Sequence, residues 1–174
     1  MLWVAGWGSG PVPLPRYGNS AYKSAMRLAL YQPEIAGNVG TILRLAACFG
    51  VAVDLIEPMG FPWSDRALAR SGMDYAERAE AVRHPDWSAF LTATPGRLAL
   101  FTTRGAERLP EARFEPNDVL LFGSEGAGVP ETVHARADLR VRIPMLPGFR
   151  SLNLAVAAGI GLAEAMRQTN GWPS

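Results

Sequence analysis

Apolar runs alternate along this chain with segments whose apolar residues recur at helical spacing. Five short runs have the apolar and β-branched character of buried strands, at residues 27–31, 51–57, 98–102, 119–122 and 139–143. A helical pattern or a glycine-rich loop follows most of them. This alternation predicts an α/β domain with a mainly parallel sheet of about five or six strands and flanking helices.

The first helical pattern follows the strand at 27–31 directly. Apolar residues recur there at intervals of three and four, and they form one stripe: Ile42, Leu45, Ala46 and Phe49. Asn38 is the predicted N-cap, and Gly50 ends the pattern. We therefore expect a helix that packs on the sheet and carries Arg44 off the apolar stripe, able to project toward the preceding loop. A solvated arginine on the helix surface explains this position equally well.

Residues 143–154, with the sequence IPMLPGFRSLNL, join the last strand to a helix predicted over 154–168. A segment that only turned the chain would not need an arginine, a serine and an asparagine, so we expect binding or chemistry here. The helix itself is rich in alanine and glycine. We interpret it as the site of a close helix or subunit contact, with ordinary core packing as the alternative.

The run after 119–122, GSEGAGVP, is a glycine-rich loop that leads into a helix opened by Pro130 and Glu131. Its spacing differs from G-x-G-x-x-G, and Glu125 would repel phosphate, which favours an uncharged or cationic ligand. The loops after 27–31, 119–122 and 139–143 lie at carboxyl ends of strands. We expect them to meet in one crevice.

Composition fits one globular domain, with 174 residues of which 48% are apolar. Residues 1–25 contain no acid and no apolar periodicity, and we interpret them as a disordered or loosely docked extension before a domain over 26–174. From Met26 onward 15 basic residues stand against 16 acidic ones. A surface for nucleic acid would therefore need local clustering of charge or two pooled subunits.

Several chemistries are disfavoured by residue counts. Lys23 is the only lysine, which excludes a Schiff-base or phosphate-loop lysine from the domain. Cys48 is a single cysteine, and His84 and His134 stand alone, so we read the histidines as surface or capping residues and expect no metal site. No run resembles a signal peptide or a membrane span. A reducing cytoplasm is the expected compartment.

Arginines follow an aromatic loop in the segment 59–87. Arg66, Arg70 and Arg78 alternate with Trp63 and Tyr75, and Ser64 or Asp65 could cap a short helix. Such a pattern suits RNA contact through phosphate and stacking. A solvated helix face explains the same residues and is the better interpretation from the sequence.

Three ordered segments resemble the three motifs of the SPOUT superfamily of RNA methyltransferases: GNVGTILRLAACFG, FGSEGAGVP and IPMLPGFRSLNL. The chain is most similar to the small single-domain enzymes that methylate the ribose 2′-oxygen of a wobble cytidine or uridine in tRNA, from about Met26 to Trp172. The resemblance implies a fold with a deep C-terminal trefoil knot. It also implies S-adenosylmethionine as methyl donor, a homodimer, and no metal.

The resemblance also assigns site residues. Positions that match the polar catalytic set are Asn38, Arg44, Glu125 and Asn153; those that match donor contacts are Phe101, Gly123, Ile143 and Ser151. Arg150 is a candidate RNA phosphate contact. Arg44 matches the residue at the acceptor hydroxyl, and since arginine stays protonated we assign it stabilisation of the developing alkoxide or of the adjacent phosphate.

Two positions depart from the family pattern, Ala155 where serine is common and Ala163 where close relatives have tyrosine. The donor motifs are intact, whereas substrate choice stays open. Transfer to another tRNA position or to rRNA is the nearest alternative. A non-catalytic RNA-binding protein is the alternative from another class.

Overall fold

The computed structural model of the chain describes residues 12–13, 25–63 and 79–173. The predictions made for Ser64, Asp65, Arg66, Arg70, Tyr75 and Arg78, and for most of the 1–25 extension, lie outside these residues. Of that extension the structure describes Val12–Pro13, which pairs antiparallel with a strand at Ala81–His84.

One sheet forms the centre of the described chain. Its strands are β1 Val12–Pro13, β2 Arg27–Tyr31, β3 Ala52–Ile56, β4 Ala81–His84, β5 Leu98–Phe101, β6 Glu107–Arg108, β7 Val119–Phe122 and β8 Leu139–Arg142. Their order is β1-β4-β3-β2-β7-β5-β8-β6, and every pair except β1 with β4 is parallel. The predicted α/β class with a mainly parallel sheet is confirmed.

Helices cover both faces of this sheet, as a buried parallel sheet requires. They are α1 Ala36–Phe49, α2 Trp87–Ala93, α3 Glu131–Arg136 and α4 Leu154–Thr169. One apolar cluster joins α1 and α4 to one face of the sheet. A second cluster joins Phe90 of α2 and Val133 of α3 to the other face. None of the helices in the described ranges is long and apolar enough to cross a membrane.

Helix α1 shows where local prediction succeeded and where it failed. Ile42 and Ala46 of the stripe are fully buried, and Gly50 ends the helix in the left-handed conformation with φ 64°. The predicted N-cap is wrong, because Ile35 occupies that position and the helix begins at Ala36. Asn38 lies inside the helix, where tertiary hydrogen bonds hold its side chain.

Both histidines are buried, contrary to the prediction. His84 is 1% exposed, and its Nε2 lies 2.8 Å from the Asp54 carboxylate, which also accepts two hydrogen bonds from Arg27. Burial raises the pKa of Asp54, but the hydrogen bonds from His84 and Arg27 outweigh it and hold that pKa below its usual value. His134 is 7% exposed on α3. Strand β4 was not predicted, so nothing in the sequence placed His84 inside the sheet.

The narrow surface of α4 accepts close neighbours, as predicted. A Cβ at Gly161 would lie 2.6 Å from the Phe101 ring, so only glycine lets that ring sit against the helix. A Cβ at Gly159 would meet Leu45 of α1 at 3.9 Å, an ordinary contact. Core packing against Phe101 and a helix contact with α1 therefore both use the small residues of α4.

Candidate active site

The three predicted loops meet at the carboxyl edge of the parallel strands. They enclose a cavity of about 610 Å³, within the range of ~300–1,000 Å³ usual for small-molecule sites. We call it the central cavity. Eight of the nine predicted site residues line it: Asn38, Phe101, Gly123, Glu125, Ile143, Arg150, Ser151 and Asn153.

A chain of hydrogen bonds ties the three loops together. Asn153 donates from Nδ2 to Asn38 Oδ1 at 2.8 Å, and Asn38 donates from Nδ2 to Glu125 Oε1 at 2.8 Å. These residues are 115 and 87 positions apart in the chain. Asn38 is 9% exposed, so its amide depends on both partners. The three side chains therefore fix the relative positions of the loops.

Asn153 also begins the last helix. It is the N-cap of α4, and its Oδ1 accepts hydrogen bonds from the backbone N–H groups of Ala155 and Val156 at 2.8 and 3.3 Å. The side-chain oxygen of Asn153 thus accepts from two N–H groups at the helix end, and its side-chain nitrogen donates to Asn38.

Glu34 adds further contacts between these loops and was not among the predicted site residues. Its backbone N–H donates to Glu125 Oε2 at 2.7 Å, and its own carboxylate accepts from the Gly126 N–H at 2.9 Å. Each of the two loops, after β2 and after β7, therefore donates a backbone hydrogen bond to a carboxylate of the other. Glu125 uses one oxygen for Asn38 and the other for Glu34. No local sequence signal pointed to Glu34, since its partners lie more than 90 positions away.

The glycine loop has a tight geometry that explains its composition. Ser124 and Gly128 exchange two backbone hydrogen bonds at 2.9 and 3.0 Å, and Gly128 has φ 70°. A Cβ at Gly123 would lie 2.4 Å from the Gly128 backbone. Glycine is thus needed at both ends of the turn, which presents Glu125 to Asn38.

One wall of the central cavity is apolar and includes a stack of aromatic rings. The Phe101 ring stacks nearly parallel with Phe122 and Phe114, at centroid distances of 4.7 and 6.0 Å. Ile143 and Leu154 extend this wall. Ser151 and Arg150 are exposed on the loop between β8 and α4, where they offer a hydroxyl and a guanidinium to a ligand.

Arg44 is the predicted site residue that the structure does not bring to the central cavity. It lies on the exposed side of α1. It follows Asn38 by six positions, or about 9 Å along the axis at 1.5 Å per residue. Arg44 therefore stands on the outer side of the helix that supplies Asn38.

The arrangement suits a ligand with a flat apolar part and a polar remainder. The sheet is mainly parallel and covered on both faces, and its strands lead into three loops that meet at one cavity. Such an arrangement is typical of α/β enzyme domains that bind a small organic cofactor at the carboxyl edge of the sheet. The family profile of the SpoU rRNA Methylase family matches residues 25–163. The chain belongs to the SpoU methylase family.

Named relatives are similar to this chain over most of its length. It is 52% identical over 144 residues to the tRNA (cytidine(34)-2′-O)-methyltransferase of Beijerinckia indica, covering 81% of this chain and 90% of the relative. The enzyme of the same name from Escherichia coli K12 is 42% identical over 151 residues, covering 85% and 96%.

Solved structures match the fold. One described as "Structural insights into the 2-OH methylation of C/U34 on tRNA" aligns with a TM-score of 0.80 and 46% identity, over 84% of this chain and 97% of that one. The SpoU methyltransferase AviRb of Streptomyces viridochromogenes in complex with AdoMet aligns with a TM-score of 0.75 and 26% identity, over 84% and 58%. The resemblance to this class of methyltransferases is confirmed.

Proposed function

We propose that this chain transfers a methyl group from S-adenosylmethionine to the ribose 2′-oxygen of cytidine or uridine at the wobble position of tRNA. The observation that carries the proposal is the interlocked junction of Asn38, Glu125 and Asn153 at the central cavity. It unites the three segments that resemble the motifs of RNA methyltransferases. Relatives that are 42% and 52% identical are named for this reaction, which supports both the proposed target position and the proposed chemistry.

The central cavity fits the methyl donor. S-adenosylmethionine combines an aromatic base with a ribose and a charged amino-acid end, and the cavity combines the Phe101 wall with hydroxyl and guanidinium groups. In our proposal Phe101 and Ile143 contact the base, Gly123 lets the backbone approach, and Ser151 binds a polar group. When bound, the donor would supply an electrophilic methyl group on its sulfonium sulfur, and the sulfur would depart as the neutral thioether of S-adenosylhomocysteine.

Catalysis then needs alignment of the acceptor hydroxyl and help as it loses its proton. We assign alignment to the junction, in which Asn38, Glu125 and Asn153 hold the loops at fixed separation. We assign Arg44, which lies outside the central cavity, to the acceptor RNA. As a permanent cation it stabilises the developing alkoxide or the neighbouring phosphate, and Arg150 contacts a phosphate at the cavity mouth.

A homodimer is part of the proposal. Val156 and Ile160 lie one turn apart on α4 and are 50% and 38% exposed, and Ile35 at the start of α1 is 52% exposed. A stripe of exposed large apolar side chains on a helix face is typical of a subunit contact. Pairing through it would place two central cavities, and the charged residues around them, on one assembly that acts on tRNA in the cytoplasm.

We also infer the trefoil knot of this family. The connection from β5 to β7 supports it, because Leu109 donates its N–H to Arg142 O of β8 while Gln168 of α4 bonds the backbone of Ala112 and Phe114. The connection thus lies across both β8 and the end of α4, where a threaded helix would pass.

The experiment that tests the proposed function is transfer of labelled methyl from S-adenosylmethionine to total tRNA lacking the modification, followed by nuclease mapping. We expect label in a 2′-O-methylated pyrimidine at position 34. Label at another tRNA position or only in rRNA would support the methyl-transfer reaction but contradict position 34 as its target. Donor binding without label in any RNA would favour the non-catalytic RNA-binding alternative.

A further inference from the structure

A second groove continues from the central cavity along the loop that follows β8. We call it the basic groove. It is lined by three arginines, Arg108 of β6, Arg142 of β8 and Arg150, with Leu146 and Phe149 from the loop, and it has a volume of about 420 Å³. Arg142 and Arg150 line the central cavity as well, whereas Arg108 and Phe149 line only the basic groove.

The groove concentrates positive charge in a chain whose formal net charge is only +1. No carboxylate is among its lining residues. Arg108 forms an ion pair with Glu111 at 2.9 Å, but both side chains are more than half exposed, so the pair is weak. Arg142 and Arg150 make no side-chain hydrogen bond or ion pair with any residue in the described ranges. Their guanidinium groups are available to an anionic ligand.

Beside these charges the loop exposes large apolar side chains. Phe149 is 71% exposed and Leu146 75% exposed, so neither contributes much to the core. Gly148 precedes Phe149 with φ 96°, a conformation that glycine adopts readily and that shapes the loop carrying the ring. An aromatic ring exposed beside arginines is the combination that binds single-stranded nucleic acid, by stacking on a base and by charge on phosphates.

We propose that the basic groove binds a nucleotide next to the acceptor nucleotide of the RNA, with Phe149 stacked on its base and Arg108 and Arg142 on its phosphates. This proposal rests on the proposed function, because it takes RNA to be the substrate. The continuity of the two sites supports it. A strand that lies in the basic groove reaches the central cavity past Arg142 and Arg150, which border both.

The test compares full-length variants with wild type for RNA affinity, donor affinity and turnover on an anticodon stem-loop. Phe149→Ala removes the ring, Phe149→Leu keeps apolar bulk without a flat face, and Phe149→Trp keeps the stacking surface. Arg108→Ala removes one groove cation. Arg136→Ala, on α3 and outside both sites, is the control for loss of one exposed arginine.

We expect Phe149→Ala to raise the Kd and the KM for RNA about tenfold, the size of one lost base-stacking contact. Phe149→Leu should lose nearly as much and Phe149→Trp should retain wild-type affinity. Arg108→Ala should reduce the slope of log Kd against log salt by about 0.7, as for one phosphate contact to a single strand. The Kd for S-adenosylmethionine and the association state should not change in any variant, and Arg136→Ala should match wild type throughout.

Wild-type affinity for RNA in both Phe149→Ala and Arg108→Ala would overturn the proposal. Wild-type affinity in Phe149→Leu would show that Phe149 does not stack on a base and would overturn that part of it. Dissociation of the oligomer by Phe149→Ala would identify the groove as a subunit contact and would also overturn it. If the wild-type protein transferred no methyl group to RNA, the proposed function would fail instead, so the two failures are distinguishable.

Discussion

Asn153 makes two separate contributions through the two ends of its amide. The oxygen caps α4, and the nitrogen holds Asn38 against Glu125. Substitutions can separate these roles. Aspartate retains an acceptor for the cap but cannot donate to Asn38, whereas alanine loses both.

We predict that Asn153→Ala lowers the free energy of unfolding by about 2 kcal/mol, because it loses the N-cap, worth about 1 kcal/mol, and the hydrogen bond to Asn38, worth about another 1 kcal/mol. Asn153→Asp should lose only about 1 kcal/mol, because a carboxylate still caps the helix N-terminus but cannot donate to Asn38. Both variants should lose most methyl transfer, since the junction is broken in each. Urea unfolding and single-turnover rates measure the two effects. Full activity in Asn153→Asp would show that the hydrogen bond to Asn38 is dispensable.

Arg44 and Ser151 are predicted to act on different ligands. Arg44 is exposed and outside the central cavity, while Ser151 lines it. We expect Arg44→Ala to reduce kcat at least a hundredfold and to leave the Kd for S-adenosylmethionine within twofold of wild type. Ser151→Ala should weaken the donor severalfold, as expected for one lost hydrogen bond of ~0.5–1.5 kcal/mol. Calorimetry measures donor affinity, and single-turnover kinetics measure methyl transfer in each variant. If Arg44→Ala lost donor affinity to the same extent as methyl transfer, its assignment to the acceptor would be refuted.

At the scale of elements, the contact between α4 and β5 shapes the apolar wall of the central cavity. Gly161 leaves no room for a Cβ beside the Phe101 ring. We predict that Gly161→Ala displaces this ring, destabilises the fold by ~1–3 kcal/mol as overpacking does, and weakens donor binding. Gly159→Ala on the same helix is the control. With its nearest neighbour 3.9 Å from the new Cβ, it should be neutral or stabilising by ~0.5–1 kcal/mol.

Thermal unfolding and donor titration of both glycine variants test this account. If the Gly161→Ala enzyme bound the donor with wild-type affinity, Phe101 would not form the wall of the donor site. A second change, Phe101→Leu in the Gly161→Ala background, should recover part of the stability because it relieves the clash.

Elements with strong local patterns could be predicted from the sequence. Strands β2 and β7 occur at the predicted residues, and the last helix begins at Leu154 as predicted. Strand β4 was missed, because its four residues, AVRH, contain an arginine and a histidine whose partners, Glu57 and Asp54, are known only from the fold. The N-cap at Asn38 failed for the same reason: the side chain is held by Glu125 and Asn153 rather than by its own helix.

The candidate site divides in the same way. Motif resemblance located eight residues that line the central cavity, because each motif is local. Glu34 was missed, since its role is a reciprocal contact with the loop of Glu125 and Gly126 across the sheet. The basic groove was not predicted as a unit, because its arginines come from β6, β8 and the following loop.

At the scale of the whole molecule, the exposed apolar residues of α4 are the subunit contact that we propose for a homodimer. We predict that Ile160→Asp and Val156→Asp give folded monomers, because both side chains are exposed within one chain and charge is poorly tolerated in a subunit contact. Analytical ultracentrifugation gives the mass, and circular dichroism gives the fold. Thr132→Asp, at an exposed position on α3, is the control and should remain dimeric. A wild-type protein that is monomeric at micromolar concentration would contradict the dimer.

The central claim is that the reacting atom is the ribose 2′-oxygen of nucleotide 34. The most direct measurement is methyl transfer from labelled S-adenosylmethionine to two anticodon stem-loops that differ in one atom, with cytidine or 2′-deoxycytidine at position 34. We predict incorporation approaching one methyl group per stem-loop for cytidine and none for 2′-deoxycytidine, with both RNAs bound similarly. Equal incorporation into both would contradict the claim and would place the methyl group on a base or on another ribose.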